Sequence, residues 1–585
     1  MIYEEYIKVL YIDLEQEKIR VEKRKDLTAY LGSVGVAAKL LEENMKAEYP
    51  PLHEEQPAVF AIGAASTIFP VMTKTVAMFI SPLTGELGES YAGGRMALAL
   101  FMAGYDAFVI TGKSKKASYL SITGNNVYFR DARAFKGLSS KEIGRFIRER
   151  EPGGGKRSIL RIGPAGENLV SYASVCVDTY RHFGRLGLGA VLGSKNVKAI
   201  SITGDRSIPI KNPKEYLKVY QDIYKKCTDT EIMSKYHDAG TPINIEPLNV
   251  GGGLPTLNLQ KNTFDQAEEI SGETFAEKNL IRKMACTGCP VGCIHIGQFR
   301  KEFDKGHEYE AISVGYDYEL IFSLGSFIGV DTTEEILELI DAVEEMGMDA
   351  MSTGVVLGWA TEAYAKQLVG IEETLLPLEF GNTENYLKAI EYIALRTNEF
   401  YDALARGVYE AAEKYGGKDF AMSIGKNEMA GYHTGYGALV GAAVGARHSH
   451  LCNGGYSLDQ SMKEFDKEKI VESLFKEEIE RCMLNSLGIC LFARKIYDRN
   501  TILPALNVLG YSFSDEELTA LGERIFRTKL RIKKALGFEL KDVYLPKRFF
   551  ATPSMNGIME ETAAYELVEG FQRKCEELLA GEEEI

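Results

Sequence analysis

The feature that most restricts how this 585-residue chain can fold is a cysteine triplet, Cys286-Thr-Gly-Cys289-Pro-Val-Gly-Cys293. Three thiols so close together act jointly only in one compact loop, and Gly288 and Gly292 let the backbone turn tightly around a metal or cluster. Thiolates bind soft metals. The choice lies between zinc, which needs a fourth local or remote ligand, and an iron–sulfur cluster with its usual four cysteines. His295 is the alternative ligand nearby. Nine cysteines in the whole chain are too few and too unevenly spread for a disulfide scaffold. For a cluster, the fourth thiolate has to come from Cys176, Cys227, Cys452, Cys482, Cys490 or Cys575, and spacing does not choose among them.

The chain is too long for one core, and ordinary domain sizes suggest about three to five units. At 45% hydrophobic and 26% charged residues it is expected to fold throughout. Asp and Glu outnumber Lys and Arg 83 to 68, a formal net charge of -15. The resulting field repels phosphate backbones and excludes nucleic acid as an expected partner. The longest weakly polar run, residues 434–446, is glycine-rich and falls short of the roughly 20 apolar residues of a spanning helix, so no membrane helix is expected. Met1-Ile-Tyr-Glu-Glu lacks the basic and apolar regions of a secretory signal, and a cytoplasmic location is expected.

Alternation over residues 6–22 predicts two strands around a polar turn, with further strands at 58–62, 107–111, 119–122 and 199–203. Beyond Pro213 the spacing becomes helical, at 215–226, 333–346, 383–396 and 401–415. Turn formers interrupt the pattern at 208–213 and 416–419. The expectation is an α+β protein: a β-rich N-terminal domain (1–210), a helical domain carrying the cysteine loop (211–417) and a C-terminal helical domain (418–585). One six-residue pattern occurs twice, Glu344-Glu-Met-Gly-Met-Asp349 and Asn485-Ser-Leu-Gly-Ile-Cys490, each read as a helix end with a glycine turn.

Several blocks spread over nearly the whole chain are similar to the tungsten aldehyde:ferredoxin oxidoreductase family. They are Ser81-Pro-Leu-Thr-Gly85, Ala103-Gly-Tyr-Asp-Ala107, Ile162-Gly-Pro-Ala-Gly-Glu-Asn168, Gly184-Arg185, Gly189-Ala-Val-Leu-Gly-Ser-Lys-Asn196 and Leu545-Pro-Lys-Arg-Phe549. The resemblance singles out Cys490 as the fourth ligand of a 4Fe-4S cluster beside Cys286, Cys289 and Cys293. It also implies a tungsten bis-pterin in which two dithiolenes hold the metal, with Mg2+ bridging the pterin phosphates, so that the protein grips the pterins and the N-terminal domain carries them.

By that resemblance Gly93, Arg181, Gly184 and Arg185 contact pterin, with Gly94 and Arg95 beside them. Glycines allow close backbone approach, and arginines offer charge-assisted hydrogen bonds to phosphate. Tyr91 and His182 fall where the family places backbone oxygens around magnesium. The two six-residue copies, with Glu344, Met348, Asp349, Asn485 and Leu491, are expected to hold the pterin rings. Glu344 and Asn485 stand where the family has aspartate, and Asn485 gains a donor at the loss of a charge. Lys74 replaces an arginine between cluster and pterin, keeping the charge without the planar fork.

Tyr309 and Glu310 are expected at the metal, with either His448 or His450 as the catalytic histidine and His448 preferred; His450 also takes the place of a pterin-contacting lysine. Glu338-Leu-Ile-Asp341 replaces the Glu-x-x-His of an iron bridge between subunits, so homo-oligomerisation through that iron is not expected, although oligomers remain open. The implied reaction converts an aldehyde to its carboxylic acid, with electrons leaving to ferredoxin or a small ferredoxin-like subunit. Two alternatives stand beside it. One is the tungsten subunit of a benzoyl-CoA reductase, for which Cys452 is a conceivable metal ligand. The other is a non-catalytic iron–sulfur or zinc electron-transfer subunit.

Overall fold

The computed structural model describes residues 2–124, 126–304, 308–462 and 464–581. The first two hundred residues form two six-stranded sheets of the same design. Strands β1 (Ile7–Asp13), β2 (Lys18–Arg24), β3 (Ala58–Ile62), β4 (Thr75–Ile80), β5 (Leu87–Ala92) and β6 (Ala107–Thr111) lie in the order β2-β1-β6-β3-β4-β5. Strands β7 (Ser118–Thr123), β8 (Asn126–Asp131), β9 (Ser158–Arg161), β10 (Val175–Val177), β11 (Arg181–Phe183) and β12 (Val197–Thr203) lie in the order β8-β7-β12-β9-β10-β11. Strand for strand the two match, including the one parallel pair in each, β1 with β6 and β7 with β12.

Local sequence explains which strands sit where. β3 and β4 are apolar runs buried on both faces, as inner strands covered on two sides must be. β2 and β8 are exposed, and their charged residues suit edge strands that must not pair with another chain. The inner edges, β5 and β11, approach each other. Ala92-Gly93-Gly94-Arg95 and Phe183-Gly184-Arg185 therefore leave the two sheets at equivalent places.

Beyond Pro213 the chain is largely helical, with one departure from expectation. A three-stranded antiparallel sheet, β13 (Leu280–Met284), β14 (Ile294–Asp304) and β15 (Glu308–Tyr316), interrupts it, and the cysteine triplet is the connection between β13 and β14. The expected helix at 401–415 is two, Glu399–Leu404 and Val408–Tyr415, broken at Gly407. Helix Ala350–Ala365 is buried all round and has no polar face, which is why amphipathic spacing does not reveal it.

Buried charges join the first sheet to the C-terminal helices. Glu86, in the turn before β5, bonds Lys533 at 2.9 Å and His448 Nε2 at 3.1 Å. Glu89, on β5, meets Lys529 at 2.6 Å and accepts from the Tyr91 hydroxyl at 2.7 Å. Both lysines lie one turn apart on helix Asp515–Ala535. Burial alone raises a carboxyl pKa, but at Glu86 the Lys533 and His448 charges outweigh it and hold the group down at about 2.

A carboxyl held below its unfolded value stabilises the fold above that value, and the stabilisation is lost as pH falls from about 4.5 towards 2. Glu86→Gln should cost roughly 3 kcal/mol at neutral pH at most and flatten the acid limb of stability against pH. Thermal melting from pH 7 down to pH 3 checks this, and an unchanged acid slope in the variant would refute it.

Candidate active site

The two six-residue copies are both helix ends, and they are clasped alike. Gly347 and Gly488 turn the chain with φ +77° and +75°, a conformation that glycine adopts without strain. The carbonyl of Gly488 accepts from Lys74 N at 3.0 Å, and Cys490 N donates to Val71 O at 3.0 Å. In the other copy the Gly347 carbonyl accepts from Ser174 N at 2.9 Å, and Asp349 N donates to Tyr172 O at 3.0 Å. Each sheet thus receives one helix end, with Gly63 and Gly163 behind them packed too closely for any Cβ.

The same segment before β4 also fixes the cysteine loop. Val71 N donates to Gly288 O at 3.3 Å, and Thr287 N donates to Gly94 O at 3.0 Å. Cys286, Cys289, Cys293 and Cys490 consequently line one wall of a cavity of about 320 Å³ between the sheets and the helices. A Cβ at Gly93 would lie 2.5 Å from the Cys286 sulfur, so that position admits no side chain. Burial pushes the Cys293 thiol up to about 11 and Cys289 further. Lys74 stands among these sulfurs; burial opposes its charge, but Cys490 and Cys286 more than offset this and raise its pKa. His295 is buried, with Nε2 3.1 Å from His237 O, and does not line the cavity.

Of the other residues expected at the site, Tyr91, Arg181, Gly184, Arg185, His450, Asn485 and Leu491 line this cavity. A Cβ at Gly184 would meet nothing within 4 Å, so its backbone is open to a ligand. Arg185 is held by Asp349 at 3.0 Å and by the Glu428 carbonyl at 2.8 Å, leaving Nη1 buried without a partner. His182 and Glu344 do not line the cavity and lie 3.8 Å apart. Burial and Arg181 lower His182 to about 3, and burial raises Glu344 to about 7. Met348 is buried, bridged to Ala173. Gly94 and Arg95 turn away from the cavity. Arg95 N bonds Asp178 at 2.8 Å, and its side chain joins Arg148, Arg157 and Arg181 around a separate cavity of about 320 Å³.

Three expectations need correction. Tyr309 and Glu310 lie towards the outer end of the β14–β15 hairpin, paired across it with Glu302 and Lys301. Tyr309 is 49% exposed, Glu310 is exposed, and neither reaches the cavity. The Tyr-Glu pair recurs nine residues on, and this second copy, Tyr318-Glu319, opens helix Tyr318–Leu324, which Asp317 caps. Asp317 and Glu319 do line the cavity. His448 is sealed against Glu86 and Lys533 under the Phe538 ring and is absent from the cavity wall. His450 is there instead, with Nε2 3.5 Å from Glu319 and Nδ1 buried without a partner. Spacing alone does not separate the two Tyr-Glu pairs or the two histidines. The change from strand to helix after Asp317 separates the two Tyr-Glu pairs, and packing alone separates the two histidines.

Two neighbouring buried carboxyls, Asp317 and Glu319, are pushed in opposite directions. Burial and the Glu319 charge push Asp317 up to about 7. Burial opposes ionisation of Glu319 too, but hydrogen bonds from His450 and from the Tyr432 hydroxyl at 2.9 Å hold it below the usual carboxylate range. Burial lowers the His450 imidazole. Cys452 lies under Gly445 and faces Arg447, outside this cavity, so its position does not favour a metal-ligand role there. Asp341, where an intersubunit iron ligand was considered, is buried against Lys141.

Comparison with known proteins agrees with this architecture. Residues 9–204 match the model of the aldehyde ferredoxin oxidoreductase N-terminal domain, and residues 218–577 that of domains 2 and 3. The tungsten-containing aldehyde ferredoxin oxidoreductases of Pyrococcus furiosus and Thermococcus kodakarensis are each 32% identical over 95% of this chain and 93% of theirs. A second Pyrococcus furiosus protein, the WOR-like subunit of an aliphatic sulfonate oxidoreductase, is 31% identical over 70% of this chain and 67% of its own. The solved BamBC active-site complex of benzoyl coenzyme A reductase, in complex with 1,5-dienoyl-CoA, shares the fold, with a TM-score of 0.81 at 20% identity over 97% of this chain and 94% of that one. Among the described residues no helix is long and apolar enough to cross a membrane. The paired sheets, the clasped helix ends and the four converging cysteines are thus those of an oxidoreductase, and the chain belongs to the aldehyde ferredoxin oxidoreductase family.

Proposed function

We propose that this enzyme oxidises an aldehyde with water to its carboxylic acid, releasing two protons and two electrons, and that the electrons leave through a 4Fe-4S cluster to a ferredoxin or a ferredoxin-like subunit. The observation that carries the reading is the Glu319–His450 pair on the wall of the cavity that the four cysteines also line. A tungsten bis-pterin is the resident cofactor of this reading. The chain offers it Gly184 with open space before its backbone, the free Nη1 of Arg185, and Asn485 and Leu491 from one clasped helix end. When bound, that cofactor supplies polarisation of the carbonyl and a sink for two electrons. Tyr91 and His182, at the junction of β5 and β11, are the residues that would hold a magnesium ion, which would neutralise pterin phosphate charge.

Glu319, ionised and buried, accepts the proton of the attacking water. Tyr432 orients the carboxylate through its hydroxyl hydrogen bond. His450 Nε2 lies 3.5 Å from Glu319, within reach of its proton, and Nδ1 is buried without a partner and free to carry a proton onward. Asp317, pushed up to about 7 by burial and the Glu319 charge, holds a proton more readily than Glu319 and so lowers the negative charge at the site. Among the described residues no three His, Cys, Asp or Glu side chains gather closely enough for a single ion. Four thiols spread around a wider space suit a cubane better than zinc, whose sulfurs sit about 2.3 Å from one centre. Lys74, charged among those sulfurs, stabilises an added electron there.

Cys490→Ser should reduce the cluster from about four iron atoms per chain to a partial or three-iron form, visible in the visible and EPR spectra, while Cys452→Ser leaves it intact. A full, spectrally unchanged cluster in the Cys490 variant would remove Cys490 as a ligand.

Glu319→Gln and His450→Asn should each lower kcat by about a hundredfold to ten-thousandfold in protein that retains its tungsten and iron, whereas Glu310→Gln stays near normal. Anaerobic aldehyde oxidation with viologen as acceptor measures this. Near-normal kcat in metal-loaded Glu319→Gln would sink the assignment.

A further inference from the structure

The cavity beside Glu319 does not end at the cofactor chamber. Thr241, Glu319, Leu451, Leu491 and Phe492 also line a second cavity of about 630 Å³ on the outer side. Tyr432, which orients Glu319, belongs to this outer chamber as well. A molecule held there abuts the Glu319 carboxylate with one end. Part of the wall is rigid, since the Tyr236 and Phe492 rings stack 4.1 Å apart and within 6° of parallel.

The charge of this chamber runs against that of the whole chain. Its wall holds four cations, Lys235, Arg481, Arg494 and Lys495, against Glu477 and the shared Glu319. Arg481 is buried and neutralised, bonding Glu477 at 2.8 Å and the Leu451 carbonyl at 2.9 Å. The other three have no carboxylate partner among the described residues. Lys235 bonds only the Asn244 amide oxygen, at 3.2 Å, Arg494 bonds the Leu491 carbonyl at 3.0 Å, and Lys495 is exposed. A concave site that gathers unpaired cations on a chain of net charge -15 attracts anions by focusing a local positive field. Its volume lies in the range of small-molecule sites.

We infer that the outer chamber selects aldehydes that carry an anionic group, a carboxylate, phosphate or sulfonate, at the end remote from the carbonyl. The inference rests on the aldehyde-oxidation reading. The anion sits among Lys235, Arg494 and Lys495 while the carbonyl end lies against Glu319 and His450. The three cations raise capture of the charged substrate and leave the proton chemistry at the inner end alone. Binding energy so remote from the reacting carbon appears chiefly in KM.

The test compares 4-oxobutanoate with butanal on the metal-loaded enzyme, and 4-formylbenzoate with benzaldehyde. At low ionic strength the charged member of each pair should have a kcat/KM at least about tenfold higher, and the preference should shrink in 0.5 M salt. Lys235→Gln/Lys495→Gln, at two exposed positions, should bring the preference to within about threefold by raising KM for the charged aldehyde, with kcat for butanal unchanged. Succinate should inhibit the wild type more strongly than butyrate and lose that advantage in the double variant. Equal efficiency on both members of each pair in the wild type, or an undiminished preference in the variant, overturns the inference and leaves aldehyde oxidation standing. Oxidation of none of the four aldehydes overturns the proposed reaction itself, and the inference with it.

Discussion

Two equivalent pairs of backbone hydrogen bonds organise this molecule, joining each six-residue helix end to its own sheet. Gly488 and Cys490 pair with Lys74 and Val71, and Gly347 and Asp349 pair with Ser174 and Tyr172. Because the bonds run through the main chain, they fix the end of each helix relative to its sheet to within a fraction of an ångström, whatever the side chains around them. The cavity, the cysteine wall and the Arg185–Asp349 contact all follow from that placement. A Cβ at Gly63 would meet the Leu487 carbonyl at 2.2 Å, and one at Gly347 would meet Gly163 N at 2.6 Å. The close approach is therefore built on paired glycines.

Twofold design at the base is broken where chemistry requires it. The last residue of one copy is Asp349, which holds an arginine; that of the other is Cys490, which faces the cysteine loop. Tyr91 and His182 occupy corresponding places on β5 and β11, yet one is anchored by Glu89 while the other lies neutral beside Arg181. One half thus carries the cysteine wall, and the other presents Arg185 to the cavity. Glu89 and Glu86 tie the first sheet to helix Asp515–Ala535 through buried ion pairs. Breaking one partner of such a pair is far costlier than the net worth of the pair.

Protonation at the inner end follows from unequal surroundings of neighbouring acids. Asp317 and Glu319 are two residues apart and both buried. Glu319 receives hydrogen bonds from His450 and Tyr432, whereas Asp317 lies next to the Glu319 charge. The two neighbouring carboxyls are thereby pushed apart, Asp317 up and Glu319 down. The outer chamber places Lys235, Arg494 and Lys495 on the far side of Glu319, a wall of opposite sign to the chain as a whole.

Much was legible in the chain. Cysteine spacing put Cys286, Cys289 and Cys293 in one loop, alternation located six of the twelve N-terminal strands, and the repeated glycine-centred hexapeptide marked both helix ends, because turn geometry and thiol spacing are local properties. Helix Ala350–Ala365 stayed hidden, since a helix buried on every side has no periodic contrast. Internal duplication of the two sheets also escaped the sequence, as backbone topology is shared while side chains are not. Which Tyr-Glu pair and which histidine reach the cavity was decided only by tertiary structure. Tyr309-Glu310 and Tyr318-Glu319 are alike as dipeptides, but a strand continuing into a hairpin carries the first outward, and a capped helix turning inward carries the second to His450. Residue type and spacing determine what a side chain can do; long-range packing alone decides what it faces.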